Sequence, residues 1–153
     1  MKKTATLLLV FIGLFFMSAC ARSTTEKIME EMGPTALRQV RMRVSFGLDV
    51  NSIDWIYEER SDADEERTEY IYYFVVEHEA VEHYAKVVIS KINAHSSTRI
   101  YMFESDEDMR EDYDLTLERI ETDAARYEDE ETVHHYYKAG SFEGLEITAI
   151  MRG

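Results

Sequence analysis

The chain has 153 residues, one cysteine, and thirty-one acidic against seventeen basic side chains, for a net charge of −14. That balance repels nucleic acid and anionic head groups, and a lone thiol excludes an intrachain disulfide. The length suits one ordinary domain with a core of its own.

The chain opens Met1-Lys2-Lys3, runs through the apolar stretch Leu7–Phe16, and reaches Met17-Ser18-Ala19-Cys20. A basic start, a short apolar run and small residues before a cut make a secretory signal peptide. Small residues ending at the sole cysteine resemble the lipobox of bacterial lipoproteins, a resemblance confined to residues 1–20. It implies cleavage before Cys20, a diacylglyceryl thioether on its sulfur and often a third acyl chain on the new amino terminus. Each buried methylene adds about 0.8 kcal/mol, so two or more chains anchor stably. The expected location is a membrane outside the cytoplasm; Ala21, not aspartate, favours the outer one where the host has two. The alternatives are an uncleaved anchor, since the uncharged span 4–21 reaches 18 residues, and an ordinary secretory signal with an incidental cysteine.

The expected organisation is a signal peptide over 1–19, a lipidated cysteine with tether and short helix over 20–38, and a single domain over 39–153. Without Lys2 and Lys3 the remainder has fifteen basic residues against thirty-one acidic ones, a net of −16. Residues 22–43 carry a net of +2 and residues 104–131 a net of −11. The basic part therefore lies nearest the anchor. It is read either as a side that rests on anionic lipid or as arginines guarding a strand edge.

In chain order, Glu26–Met32 predicts a turn or two of helix stopped by Gly33-Pro34. Val40, Met42, Val44, Phe46, Leu48 and Val50 alternate with polar residues and glycine, which predicts a half-buried strand. Ile53, Trp55 and Tyr57 begin a second strand, and residues 61–66 a solvated loop. Residues 69–77 are aromatic and β-branched on both faces, as in a central strand. Residues 79–95 fit a helical stripe or a two-sided strand, with strand favoured, followed by a loop over 93–98 and a strand over 99–104. Met109, Tyr113, Leu117, Ile120, Ala124 and Tyr127 step by four and three, which predicts an amphipathic helix over about 106–128, capped by Ser105. Strands over 133–138 and 145–151 close the chain. The fold class is α+β, a mostly antiparallel sheet packed against one long amphipathic helix.

Chemistry-bearing patterns are few. His78-Glu-Ala-Val-Glu-His83 lacks the i, i+4 histidines of a zincin helix. On one strand His78 and His83 would point to opposite faces, leaving Glu79 and His83 as two ligands where catalytic zinc takes three. No metal is expected, and His78, Glu79 and His83 are the residues singled out as candidates for one. Glu131-Thr-Val-His134 has the Glu-x-x-His spacing of di-iron bundles without a second copy. Asp62, Asp64 and Glu66 alternate as calcium ligands do, but the EF-hand loop needs glycine where Arg67 stands. No nucleophile elbow or phosphate loop occurs. Tyr70, Tyr72, Tyr73, Tyr84, Tyr101, Tyr136 and Tyr137 fall mostly on predicted strands, either lining a binding groove or filling an ordinary core.

The expected function is thus a lipid-anchored, non-enzymatic binding or assembly module of the cell envelope. Its partners are the membrane, through lipid on Cys20, and an envelope protein; no catalytic residue, cofactor or nucleic acid is expected. The alternatives are a lipoprotein that captures a metal or cationic ligand, and a small hydrolase whose site is assembled only in three dimensions.

Overall fold

The computed structural model describes residues 22–152; the expected signal peptide over 1–19 and the expected lipidation site Cys20 lie outside them. The elements are α1 (Thr24–Arg43), β1 (Asp49–Ser61), β2 (Glu66–His78), β3 (Val81–Ile92), β4 (His95–Phe103), α2 (Asp106–Tyr127), β5 (His134–Phe142) and α3 (Leu145–Met151). Among the described residues the fold is α+β: five antiparallel strands in the order β4-β3-β2-β1-β5, with three helices. Strands β1 to β4 form a meander. The chain then crosses from one sheet edge to the other through α2, whose 22 residues rise about 33 Å, enough to pass five strands spaced about 4.8 Å apart.

Both faces are buried along the middle of β1, β2 and β3, which explains why the central strands lack a polar side. Trp55, Tyr57, Tyr70, Tyr72, Phe74, Val87 and Ile89 pack with Met29, Ala36, Leu37 and Val40 of α1 and Ile150 of α3. The intervening residues Ile56, Ile71, Tyr73, Val75 and Val88 pack with Met109 and Ile120 of α2. Alternation at period two thus feeds two different cores.

Several expectations fail here. The strand expected over 40–50 is helix through Arg43, and only Asp49-Val50 belong to β1: Val40 ends the buried stripe Thr25, Met29, Gly33, Ala36, Leu37, Val40 of α1, while Met42 and Phe46 are exposed. Gly33-Pro34 does not stop that helix. Pro34 removes one backbone donor, yet the stripe of buried side chains holds the helix on both sides of it, and bare Gly33 admits Ile150. The boundary expected at 38/39 falls within α1. Leu145–Met151 is a helix, not a strand, because Ile147, Ile150 and Met151 face the core at i, i+3 and i+4 while Leu145 is exposed. The sheet is packed against two long helices, not one. Within 79–95 the residues Val81–Ile92 are indeed a strand, β3, but the turn to β4 takes two residues, Asn93-Ala94, not six.

Candidate functional site

The least ordinary feature is a set of charged residues on the α2 side of the sheet. Glu58 and Glu69 are buried on β1 and β2, at the end of the sheet where the apolar stripe gives out. Glu58 Oε2 lies 2.9 Å from His135 Nε2, and its Oε1 3.4 Å from Arg119 Nη2 of α2. Glu69 Oε1 accepts from Arg67 Nη2 at 2.7 Å and from Ser90 Oγ at 3.0 Å, with Arg99 4.0 Å away. Beside them Tyr127 Oη accepts from Arg60 at 3.2 Å and from Arg126 at 2.8 Å.

Burial pushes the Glu69 carboxyl up, but the hydrogen bond and charge of Arg67, the Ser90 hydroxyl and the Arg119 charge together hold it below the usual carboxylate range. The carboxylate is therefore ionised and compensated. A cavity of about 30 Å³ sits among Glu58, Arg60, Arg67, Arg119, Asp123 and Tyr127. At roughly 10–15 Å³ per water, it has room for a water or two and none for an organic ligand. The carboxylate oxygens of Glu58 face His135 and Arg119, so neither points at space that a substrate can enter. The network clamps α2 to the sheet.

A second clamp lies toward the start of α2. Tyr73 Oη donates to Asp112 at 2.8 Å, and Lys86 Nζ meets the same carboxylate at 2.7 Å while lying over the rings of Tyr73 and Tyr101. Burial, above all, raises the Tyr73 phenol. Near it Asp54, Tyr73, Met109, Arg110, Tyr113 and Asp114 line a pocket of about 210 Å³. A shallower cleft of about 530 Å³ opens between the end of α2 and β5, with His135, Tyr136 and Tyr137 on one wall.

The residues singled out in the sequence are not brought together. His78 ends β2, Glu79 is the first residue of a two-residue turn, and His83 stands on β3 opposite Val76. That turn resets the alternation, so His78 and His83 share a face, contrary to the single-strand expectation. His78 Nε2 is 3.8 Å from Glu79 Oε1. Among the described residues no cluster of three or more His, Cys, Asp or Glu side chains is arranged to hold a metal ion. Asp62 spends its Oδ1 accepting from the backbone N–H of Asp64 and Glu65, both at 2.9 Å, which is an Asx turn. His134 lies 3.4 Å from Glu59 and His135 faces the opposite core.

The tyrosines are mainly core. Tyr70, Tyr72 and Tyr73 are buried, and the Tyr72 hydroxyl donates to the Met29 carbonyl of α1. The exposed Tyr101 and Tyr136 stand on β4 and β5, the two opposite edges of the sheet, so they line no common groove. The Glu58–His135–Arg119 contact was not read from the sequence, because its members lie on three elements up to 77 positions apart. Comparison with known proteins returns no matching family model, no matching curated protein and no matching solved structure.

Proposed function

We propose that this chain is a lipid-anchored, non-enzymatic binding or assembly module of the cell envelope, tethered through Cys20. The observation that carries the binding half of this reading is the uncovered edge strand β4. Seven of its nine residues are exposed, and among the described residues no strand lies beside its outer backbone groups. An edge without proline, lysine or a covering element is a template for strand addition by a partner. Its sequence, His95 to Phe103, carries no acid, in a chain that is otherwise strongly acidic. The Ile100-Tyr-Met-Phe103 end supplies alternate apolar side chains for specificity.

The anchor half rests on the lipobox resemblance and on proximity. Ser23 accepts from the Glu26 N–H and caps α1, so the folded domain starts three residues after Cys20. No helix among the described residues is long and apolar enough to cross a membrane. We read Asp106–Tyr127 as an amphipathic helix that closes the far side of the sheet, with its acidic outer face toward solvent.

The test is purification of the anchored protein from detergent-solubilised envelopes, with a photo-crosslinking residue at Tyr101 and the Cys20→Ser form alongside. A stoichiometric partner crosslinked at position 101 and lost with the anchor is the expected result. A clean preparation with no crosslink from β4 would overturn the binding role, and it would shift weight to the cleft beside His135.

A further inference from the structure

We propose that the outer face of α1 is the surface on which the domain rests, and that its occupant is the lipid bilayer itself. The inference rests on the anchored reading above and adds an orientation to it. Cys20 precedes the first residue of α1 by four positions, at most about 14 Å of extended chain. A lipid on that sulfur therefore holds the start of α1 at the head-group level. From there the helix runs about 30 Å.

The residues of α1 turned away from the core are Thr24, Lys27, Glu31, Thr35, Arg38 and Met42, all exposed and all within about 80° of arc at 100° per residue. Among the described residues neither Lys27 nor Arg38 forms an ion pair. This stripe is net positive on a molecule of large negative charge. At its far end Met42 is 61% exposed, and Phe46, three residues past the helix, is 70% exposed. Beside its near end Leu145 of α3 is the most exposed large apolar residue among the described residues, and the next residue, Glu146, is 3.9 Å from Arg22. Apolar tips thus flank a weakly basic stripe that begins at the anchor, the arrangement of a helix that lies in a membrane interface.

Net charge argues against anionic lipid only if the charge is close. The acids of 104–131 centre on α2, which packs on the opposite sheet face from α1. Two packed layers of about 10 Å each put them roughly 20 Å from the stripe, about two Debye lengths at physiological salt. The membrane therefore meets Lys27, Arg38 and the single acid Glu31 of the stripe, while the acids centred on α2 are screened from it. Because the tether already holds the domain at the surface, a small contact free energy suffices to fix its orientation.

The test uses the anchored protein reconstituted into phosphatidylglycerol–phosphatidylethanolamine vesicles with brominated acyl chains, and an added tryptophan as depth probe. Native Trp55 is buried and sets the background. Met42→Trp and, as a second variant, Phe46→Trp should be quenched several-fold more than Leu115→Trp, which sits exposed on α2 on the other side of the sheet. Lys27→Glu with Arg38→Glu should reduce that difference, as should replacing phosphatidylglycerol by phosphatidylcholine. Equal quenching at positions 42, 46 and 115, with the lipid mass present on Cys20, overturns the seat and leaves the anchor standing. Absence of that mass overturns the anchor instead. The same quenching, read on protein coupled through its only thiol to a maleimide lipid, then decides the seat by itself.

Discussion

Trp55 stands directly opposite Gly140 on the β1–β5 ladder, and a Cβ placed on Gly140 would approach the indole to 2.6 Å. The indole is buried against Phe142, with ring centroids 5.9 Å apart, and has no free side to move toward. Gly140→Ala is therefore expected to cost about 2–3 kcal/mol by overpacking. Gly33→Ala is the instructive contrast. Its Cβ would meet only the side chain of Ile150, at 3.1 Å, and alanine regains roughly 1 kcal/mol of helix propensity over glycine. Chemical denaturation should find Gly33→Ala near neutral; equal losses at the two sites would contradict this packing.

Glu58 gives a second test, because it meets Arg119 and His135 at once. Glu58→Ala leaves buried His135 without its partner, while half-exposed Arg119 keeps Asp123, and should lower stability by about 1–3 kcal/mol. Glu58→Leu combined with His135→Leu should recover most of that loss, as apolar replacement of buried ion pairs commonly does. If the double variant is no better than the single one, the network contributes net stability rather than merely avoiding an unpaired charge.

How far the sequence spoke depended on the kind of signal. Tyr70 to Val76 was legible as a central strand, since apolar residues on both faces admit little else. Ser105 and the 106–127 stripe were legible because a cap, first-turn acids and a period of 3.6 agree. Of the first helix only Glu26–Met32 was legible. Its buried stripe uses Thr25, Gly33 and Ala36, which carry little hydropathy, while the alternation from Val40 to Val50 imitated a strand. The ionic network was illegible for a different reason. Glu58, Glu69, Ser90, Arg119 and His135 come from five elements, and with thirty-one acids in the chain no pairing stands out before the strands are in register.

The turn between β2 and β3 places Glu79 at φ 52° and Ala80 at φ 62°, left-handed values that cost a residue with a Cβ about 1 kcal/mol. Two-residue hairpins favour Asn-Gly at these positions. Glu79→Asn with Ala80→Gly should therefore raise stability by about 1 kcal/mol or slightly more, visible as a higher urea midpoint with unchanged slope. A drop in midpoint would mean that the turn is not of this type. It would also reopen the placement of His78 and His83 on one face.

The tyrosines set the upper edge of the pH range. Burial comes first among the causes that hold Tyr57, Tyr70, Tyr72, Tyr73 and Tyr113 above the ordinary phenol range, and for Tyr57 the hydrogen bond it donates to Glu59 adds to it. Their neutral forms belong to the native state, so their contribution is complete below about pH 10, where unfolded tyrosine titrates, and is lost as pH rises beyond it. Glu69 works in the opposite direction. Its carboxyl is held low in the native state, so its contribution is present above about pH 4 and disappears as pH falls through the native value. An alkaline titration followed by phenolate absorbance and circular dichroism together should show two phases. The later phase, that of the buried group, should appear only as ellipticity is lost. Ionisation of all ten tyrosines in one phase near the free-phenol value, with ellipticity unchanged, would show that the two cores admit water and that the sheet is not covered on both faces as described.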